Sequence, residues 1–220
     1  MSKKIIAIIM SAMITMSFVG CGSAEKQTQD NSKSDTVAEE KYNNLQGEWT
    51  KDFTSDEFNA KYSELLKKVE DKTKEYGLKY TKDEVVREEN ENFLKSDNDK
   101  AEKNRLQSLY FGRKIYGEDL SSGQITMKIL LNFDGEKALK EGKFNFGDTS
   151  LAKYSSIFTG QSNRDYKDIN SKIIDTLKCE KGEGVIKSES NGLYEEFTVN
   201  KEYIVYKLET KKFKFAKANQ

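Results

Sequence analysis

The sequence predicts an α+β fold in which an antiparallel sheet carries helices packed on one face. Three observations lead there. After the capping-box start Thr54-Ser55-Asp56-Glu57, apolar residues recur at helical spacing. Ile125, Met127, Ile129, Leu131 and Phe133 alternate with Thr126, Lys128 and Asn132, the period of a half-buried strand. Asn191-Gly192 separates two further strand-like runs, and this dipeptide suits the left-handed positions of a tight hairpin. With no proline in 220 residues, every turn must rest on Gly, Asn, Asp or Ser.

Taken in order, the elements begin near Leu45-Gln46-Gly47-Glu48-Trp49, where the lone Trp49 and Phe53 read as a cover for one end of the core. Phe58, Tyr62, Leu65, Leu66, Val69 and Tyr76 then form one helical stripe, and Gly77 sits where a helix-ending glycine belongs. Residues 78–104 carry little pattern, and Glu84 to Leu94 fits a polar strand or a frayed helix. Arg105 to Tyr116 reads as a strand with Leu106 and Tyr110 on one face and Leu109, Phe111 and Ile115 on the other. The strand from Ile125 to Phe133 follows and ends in a turn at Asp134-Gly135, with a polar connection beyond. Two helices come next, about Thr149 to Thr159 and about Arg164 to Leu177. Three strands close the chain: Val185 to Ser190, Leu193 to Val199, and Glu202 to Phe215. A slip of apolar phase in the last one predicts a bulge near Lys211. This order allows two degenerate helix-plus-three-strand halves, 45–147 and 148–220, within a globular region 45–220. Helices followed by a three-stranded meander resemble, in outline, the small envelope lipoproteins and inhibitor proteins of the β-lactamase-inhibitor-like fold.

Ahead of this region, Lys3 and Lys4 precede an apolar run from Ile5 to Val19 that closes on Gly20-Cys21. Fifteen positions fall short of the ~20 residues a helix needs to span a bilayer. The order of parts is that of a cleaved secretory signal. Phe18-Val19-Gly20-Cys21 resembles the lipobox of bacterial lipoproteins, with Phe18 where Leu is usual. The resemblance implies a signal peptide over 1–20, palmitate-type acylation of Cys21, and a mature chain on the outer face of the cell membrane. From Gly22 to about Asn44 the chain is almost without apolar residues, so 21–44 is expected to be a lipidated, disordered tether. Abundant Lys, Asn and Ile resembles the usage of a low-GC Gram-positive bacterium.

Composition bounds the chemistry. The chain holds 37 basic and 37 acidic residues, and losing Lys3 and Lys4 with the signal leaves 35 against 37. That balance gives no reason to expect nucleic acid as a partner, or a polybasic grip on anionic lipid. A mean hydropathy of −0.81 is polar, yet 24 aromatic residues supply large side chains for a core. The chain has no histidine, which excludes Ser-His-Asp and Cys-His catalysis and His-ligated zinc. With Cys21 acylated, Cys179 has no disulfide partner and reads as a passive residue near a helix end.

Partial motifs are present. Ser150-Leu151-Ala152-Lys153 has the S-x-x-K spacing, and Ser96-Asp97-Asn98 the S-D-N, of penicillin-binding proteins and β-lactamases. Their order is inverted, however, and Phe158-Thr159-Gly160 lacks the lysine of K-T-G, so a solvated first helical turn is the expectation. Asp97, Asp99 and Glu102 hint at a calcium loop without its glycine, and a polar loop is favoured. Tyr194, Tyr203 and Tyr206 would form a contact patch if they lay on a sheet face that no helix covers, although core placement is commoner. Cys21 is therefore the one site residue the sequence assigns. No catalytic residue, cofactor or metal is assigned. The leading expectation is a non-catalytic, membrane-anchored binding or adaptor module whose partner is an envelope protein, a wall component or a small molecule. The alternative is an exported, carboxylate-dependent cell-wall hydrolase.

Overall fold

The computed structural model describes residues 42, 44–85 and 90–216. The expected signal and Cys21 lie outside the described residues, as does most of the expected tether. An α+β architecture is present, an antiparallel sheet with helices packed on one face.

Helix α1, Ser55–Glu75, begins where its capping box places it. Thr54 Oγ1 accepts from the Glu57 amide, and the Glu57 carboxylate accepts from the Thr54 amide, so two otherwise orphaned donors are satisfied. Phe58, Tyr62, Leu65 and Val69 recur at spacings of three and four and are buried. The helix stops at Gly77, whose φ of 66° is the left-handed conformation glycine takes without penalty. Tyr76 lies past the last full turn and stays 39% exposed, at the end of the stripe rather than on it.

The weakly patterned stretch after α1 forms two strands, β1 (Thr81–Val85) and β2 (Asn90–Asp97). Of the stretch Glu84 to Leu94, residues 84–85 and 90–94 are strand, and 86–89 lie outside the described residues. Leu94 and Ser96 point into the core, while the other β2 side chains are half-buried or exposed, which is why no clean alternation shows. β3 (Arg105–Tyr116) and β4 (Ser122–Asn132) pair along almost their whole length. The expected facing of Leu106 needs correction. A register shift between Leu106 and Ser108 inserts one residue, so Leu106 joins Leu109, Phe111 and Ile115 on the buried side while Tyr110 faces out.

The connection after Asp134 also differs from expectation. It holds helix α2 (Gly135–Glu141), with Asp134 accepting from the Lys137 amide as its cap, and a short 3₁₀ turn at Phe146–Asp148. Seven residues with few apolar positions give too little period to read. Helices α3 (Ser150–Thr159) and α4 (Lys167–Lys178) follow as predicted, and β5 (Gly184–Ser190), β6 (Leu193–Val199) and β7 (Tyr203–Glu209) close the sheet.

The strand order is β1-β2-β3-β4-β7-β6-β5, so 45–147 and 148–220 contribute to one sheet. After β4 the chain leaves for the helices, returns at the far edge as β5, and walks back until β7 meets β4. The join pairs Met127 with Leu208, Ile129 with Tyr206 and Leu131 with Ile204. The single terminal strand expected over Glu202 to Phe215 is two, β7 and a short β8 (Phe213–Lys214), both beside β4. Between Thr126↔Glu209 and Gly123↔Phe213, three steps on β4 face four on the β7–β8 segment, the one-residue slip read near Lys211. Thr210 fills the gap: its Oγ1 accepts from the Ile125 amide and its own amide donates to the Ile125 carbonyl.

Candidate functional site

Along β6 the inward series is Leu193, Glu195, Phe197 and Val199, and every member is buried. Glu195 is a carboxylate at 0% exposure among apolar neighbours. It is held by Arg164 from the connection before α4, in a two-pronged pair with Nη1–Oε1 at 2.6 Å and Nη2–Oε2 at 2.7 Å. The Tyr206 hydroxyl donates to Glu195 Oε1 at 2.7 Å, which uses its one proton. The 2.8 Å bond between Tyr206 and Ser155 on α3 is therefore donated by Ser155. The guanidinium also lies over the Tyr166 ring, 5.0 Å from its centroid. Burial pulls the Arg164 pKa down, but the bonds and charge of Glu195 outweigh it and leave it raised. Burial, then the Glu195 charge, pushes Tyr206 well above the usual phenol range. The Tyr206 and Ser155 hydroxyl protons and two of the Arg164 protons are committed, so the cluster clamps the α3–α4 connection onto the sheet. Tyr206, one of three tyrosines considered for an open face, belongs to this core.

A second polar clamp closes the same side of the molecule. Asn191 and Gly192 take φ of 53° and 83°, the left-handed pair of a type I′ hairpin turn. Asn191 accepts from the Glu48 amide through Oδ1 and from the Trp49 amide through its carbonyl, and its Nδ2 donates to the Thr159 carbonyl at the end of α3. Trp49, 1% exposed, donates Nε1–H to the Phe158 carbonyl at 3.1 Å and sets its ring edge-on to Phe158. The sequence marks Asn191 as a turn residue; its job as a staple for two distant segments has no local signal.

Among the described residues, no helix packs on the opposite face of the sheet. Because Ile125, Met127, Ile129 and Leu131 point inward, Gln124, Thr126, Lys128 and Leu130 point outward, and strand pairing extends this across the sheet. One row reads Lys95, Tyr110, Lys128, Lys207, Glu196, Lys187 from β2 to β5. The row beside it reads Phe93, Gly112, Thr126, Glu209, Tyr194, Glu189. On the other side Asp97, Ser108, Leu130, Val205, Thr198 and Val185 form a third. Tyr194 and Tyr203 lie on this face, as considered from sequence; Tyr194 is itself buried there and Tyr203 is half-buried.

Tyr42, placed by sequence in the tether, packs on this face. Its hydroxyl donates to Glu209 Oε1 at 2.6 Å and accepts from Gln124 Nε2 at 2.9 Å, and its ring meets Tyr194 edge-on at 6.3 Å. Burial, then the Glu209 charge, raises the Tyr42 pKa. Glu209 is thereby sunk to 4% exposure, with Lys207 Nζ at 2.6 Å from its second oxygen. Toward β2, Tyr110 stacks on Phe93 at 5.6 Å and donates to Glu91. A Cβ on Gly112 would strike the Tyr110 ring, so glycine is what lets that ring lie flat across the strand.

The motif residues take up unrelated local tasks. Ser150 opens α3 with its Oγ buried and unbonded among the described residues, while Lys153 is exposed one turn on. Ser96 donates to the Lys79 carbonyl, Asn98 bonds Leu106 and Gln107 across the β2–β3 hairpin, and Thr159 bonds Ser155. Asp97, Asp99 and Glu102 are exposed, and no cluster of three metal-ligating side chains occurs among the described residues. Cys179 caps α4, half-buried, with its thiol donating to the Asp175 carbonyl at 3.5 Å. It lines an open depression of about 360 Å³ with Lys172, Thr176, Val185 and Lys187. A second depression, about 280 Å³, lies beside Asn59, Asn90 and Arg113. In comparisons with protein-family models, curated proteins and solved structures, nothing matches the chain.

Proposed function

We propose that the chain is an extracytoplasmic lipoprotein, held by an acyl group on Cys21 at the outer face of a Gram-positive cell membrane. On this reading the domain is a non-catalytic binding or adaptor module, and its working surface is the helix-free face of the sheet. The observation that carries the reading is where the chain from Cys21 arrives: Tyr42 seats on that face, against Glu209, Gln124 and Tyr194. About twenty residues separate Cys21 from Tyr42. A coil of that length would reach roughly 25 Å on average, enough to keep the domain at the membrane without burying it. Two acyl chains would hold it there stably, each buried methylene contributing about 0.8 kcal/mol. Among the described residues no helix is long and apolar enough to cross a membrane.

Growth with an alkyne-tagged fatty acid, followed by mass spectrometry of the purified N-terminus, tests the anchor. The expected result is a diacylglyceryl-modified Cys21 as first residue, lost in Cys21→Ala. An unmodified N-terminus, or a retained Met1, defeats the reading. Crosslinking in intact cells from a photoreactive residue at Thr198, on the helix-free face, is expected to capture an envelope partner that the same probe at Lys153, on the helix side, does not.

A further inference from the structure

Tyr42 is the one aromatic residue between Phe18 and Trp49, and the seat it enters lies at the bulge between β7 and β8. Glu209 is the last residue of β7 before the slip, with Tyr194 its partner on β6 and Thr126 its partner on β4. Two residues along β4 on the same face, Gln124 reaches across the gap that the bulge leaves. Its Nε2 donates both to the Thr210 carbonyl and to the Tyr42 hydroxyl, each at 2.9 Å, and its Oε1 accepts from Tyr116. The Tyr42 hydroxyl gives its own proton to Glu209 Oε1 at 2.6 Å, while Glu209 Oε2 lies 2.6 Å from Lys207 Nζ. Tyr194 stands edge-on to the Tyr42 ring as an aromatic wall. A carboxylate and an amide thus converge on one oxygen, which must donate and accept at once.

We propose that this seat is a phenol-binding slot, which Tyr42 fills as a reversible latch. Its chemistry is independent of acylation at Cys21 and selects the occupant. A carboxylate ligand would meet Glu209 at like charge. An apolar ring would leave Gln124 Nε2 and Glu209 Oε1, on a side chain sunk to 4% exposure, without this hydroxyl. An aliphatic alcohol would match the hydrogen bonds and forfeit the ring contact with Tyr194. A neutral phenol meets all three demands, and burial, then the Glu209 charge, favours that neutral form. The latch opens because one ring and two hydrogen bonds stand against the entropy of ordering a polar segment. It closes again readily because a fixed point is near in the chain: the Glu48 and Trp49 amides are bonded to Asn191 a few residues on.

The test is titration of full-length Tyr42→Gly, in detergent, with p-cresol, the side chain that the variant lacks. The side-chain amide signal of Gln124 in NMR is expected to shift and saturate. The ether 4-methylanisole, which accepts a hydrogen bond but cannot donate one, is expected to bind roughly tenfold more weakly or worse. The unsubstituted protein is expected to need roughly tenfold more p-cresol than Tyr42→Gly, because Tyr42 must first be displaced. Tyr42→Phe keeps the ring and loses both bonds, so tryptic cleavage after Lys41 is expected to speed up roughly tenfold. Cleavage after Lys33 in the same chain is expected to stay unchanged. No saturable p-cresol binding by Tyr42→Gly, equal binding of 4-methylanisole, equal p-cresol binding without the substitution, or unchanged cleavage after Lys41 in Tyr42→Phe overturns the proposal. An empty slot that takes no phenol sinks only this inference, and an unmodified Cys21 sinks only the anchor.

Discussion

Replacing Arg164 by Met removes the charge that faces Glu195 while keeping an apolar stem of similar length. Glu195 would then be a carboxylate at 0% exposure with the Tyr206 hydroxyl as its remaining donor. Two charge-assisted bonds of 2.6 and 2.7 Å disappear together. Arg164 is itself only 15% exposed, so solvent screens the pair little. Breaking a buried pair from one side typically costs about 3–5 kcal/mol, because the surviving charge is stranded. For a region of this size each kcal/mol moves the thermal midpoint by about 2–4 °C, so a fall of roughly 10 °C or more is expected. Urea denaturation followed by Trp49 fluorescence measures the loss directly. The companion variant is Arg164→Met with Glu195→Met, which removes both charges and leaves Tyr206 its bond to Ser155. It is expected to recover most of the stability, since apolar replacement of a whole buried pair is often neutral or better. A loss below about 1 kcal/mol in the single variant, or a double variant as poor as the two singles added together, would refute the reasoning.

Other outcomes follow from the same structure. Thr54→Ala removes the cap of α1 and is expected to cost about 1 kcal/mol in urea denaturation, with α1 amides exchanging faster in hydrogen exchange. Gly47→Ala places a Cβ against the Asn191 backbone at a φ of 131°, and a loss of about 1–3 kcal/mol is expected in the same assay. Bonds from Lys74, then Tyr80 and Lys82, hold the Glu70 carboxyl down at about 2. Its unfolded value is about 4.3, so its contribution is present above that pH and is lost as pH falls toward 2. A carbon-detected NMR titration is expected to find Glu70 still ionised at pH 3, and a midpoint near 4.3 would contradict the contact set.

Legibility from sequence tracked the length of each pattern. α1 was readable to its caps because four buried positions, a capping box and a terminal glycine agree. β4 was readable because four alternating apolar residues face the helix layer while the residues between them face the other way. The bulge after β7 was legible as a phase slip, since it moves apolar residues between faces. The bulge at Leu106 was not, because the polar residues around it leave the phase undefined. α2 was hidden by its shortness, and β1 by having exposed side chains throughout Thr81, Lys82, Asp83 and Glu84. Of the candidate surface tyrosines, Tyr194 and Tyr203 lie outward while Tyr206 does not. Tyr206 shares the inward parity of Ile204 and Leu208, and Glu195 gives its hydroxyl a buried acceptor.

Periodicity and caps act within a few residues, so the chain alone determined its class, its longest helix, its clearest strands and the hairpin at Asn191-Gly192. The charge of Arg164 meets Glu195 thirty-one residues away, and Lys128 stands opposite Lys207 only because β7 returns to β4. Such encounters depend on which strands become neighbours, and that is set by burial of the whole sheet beneath the helices. Tertiary structure therefore decided where the buried charge pair sits and which lysines share a row.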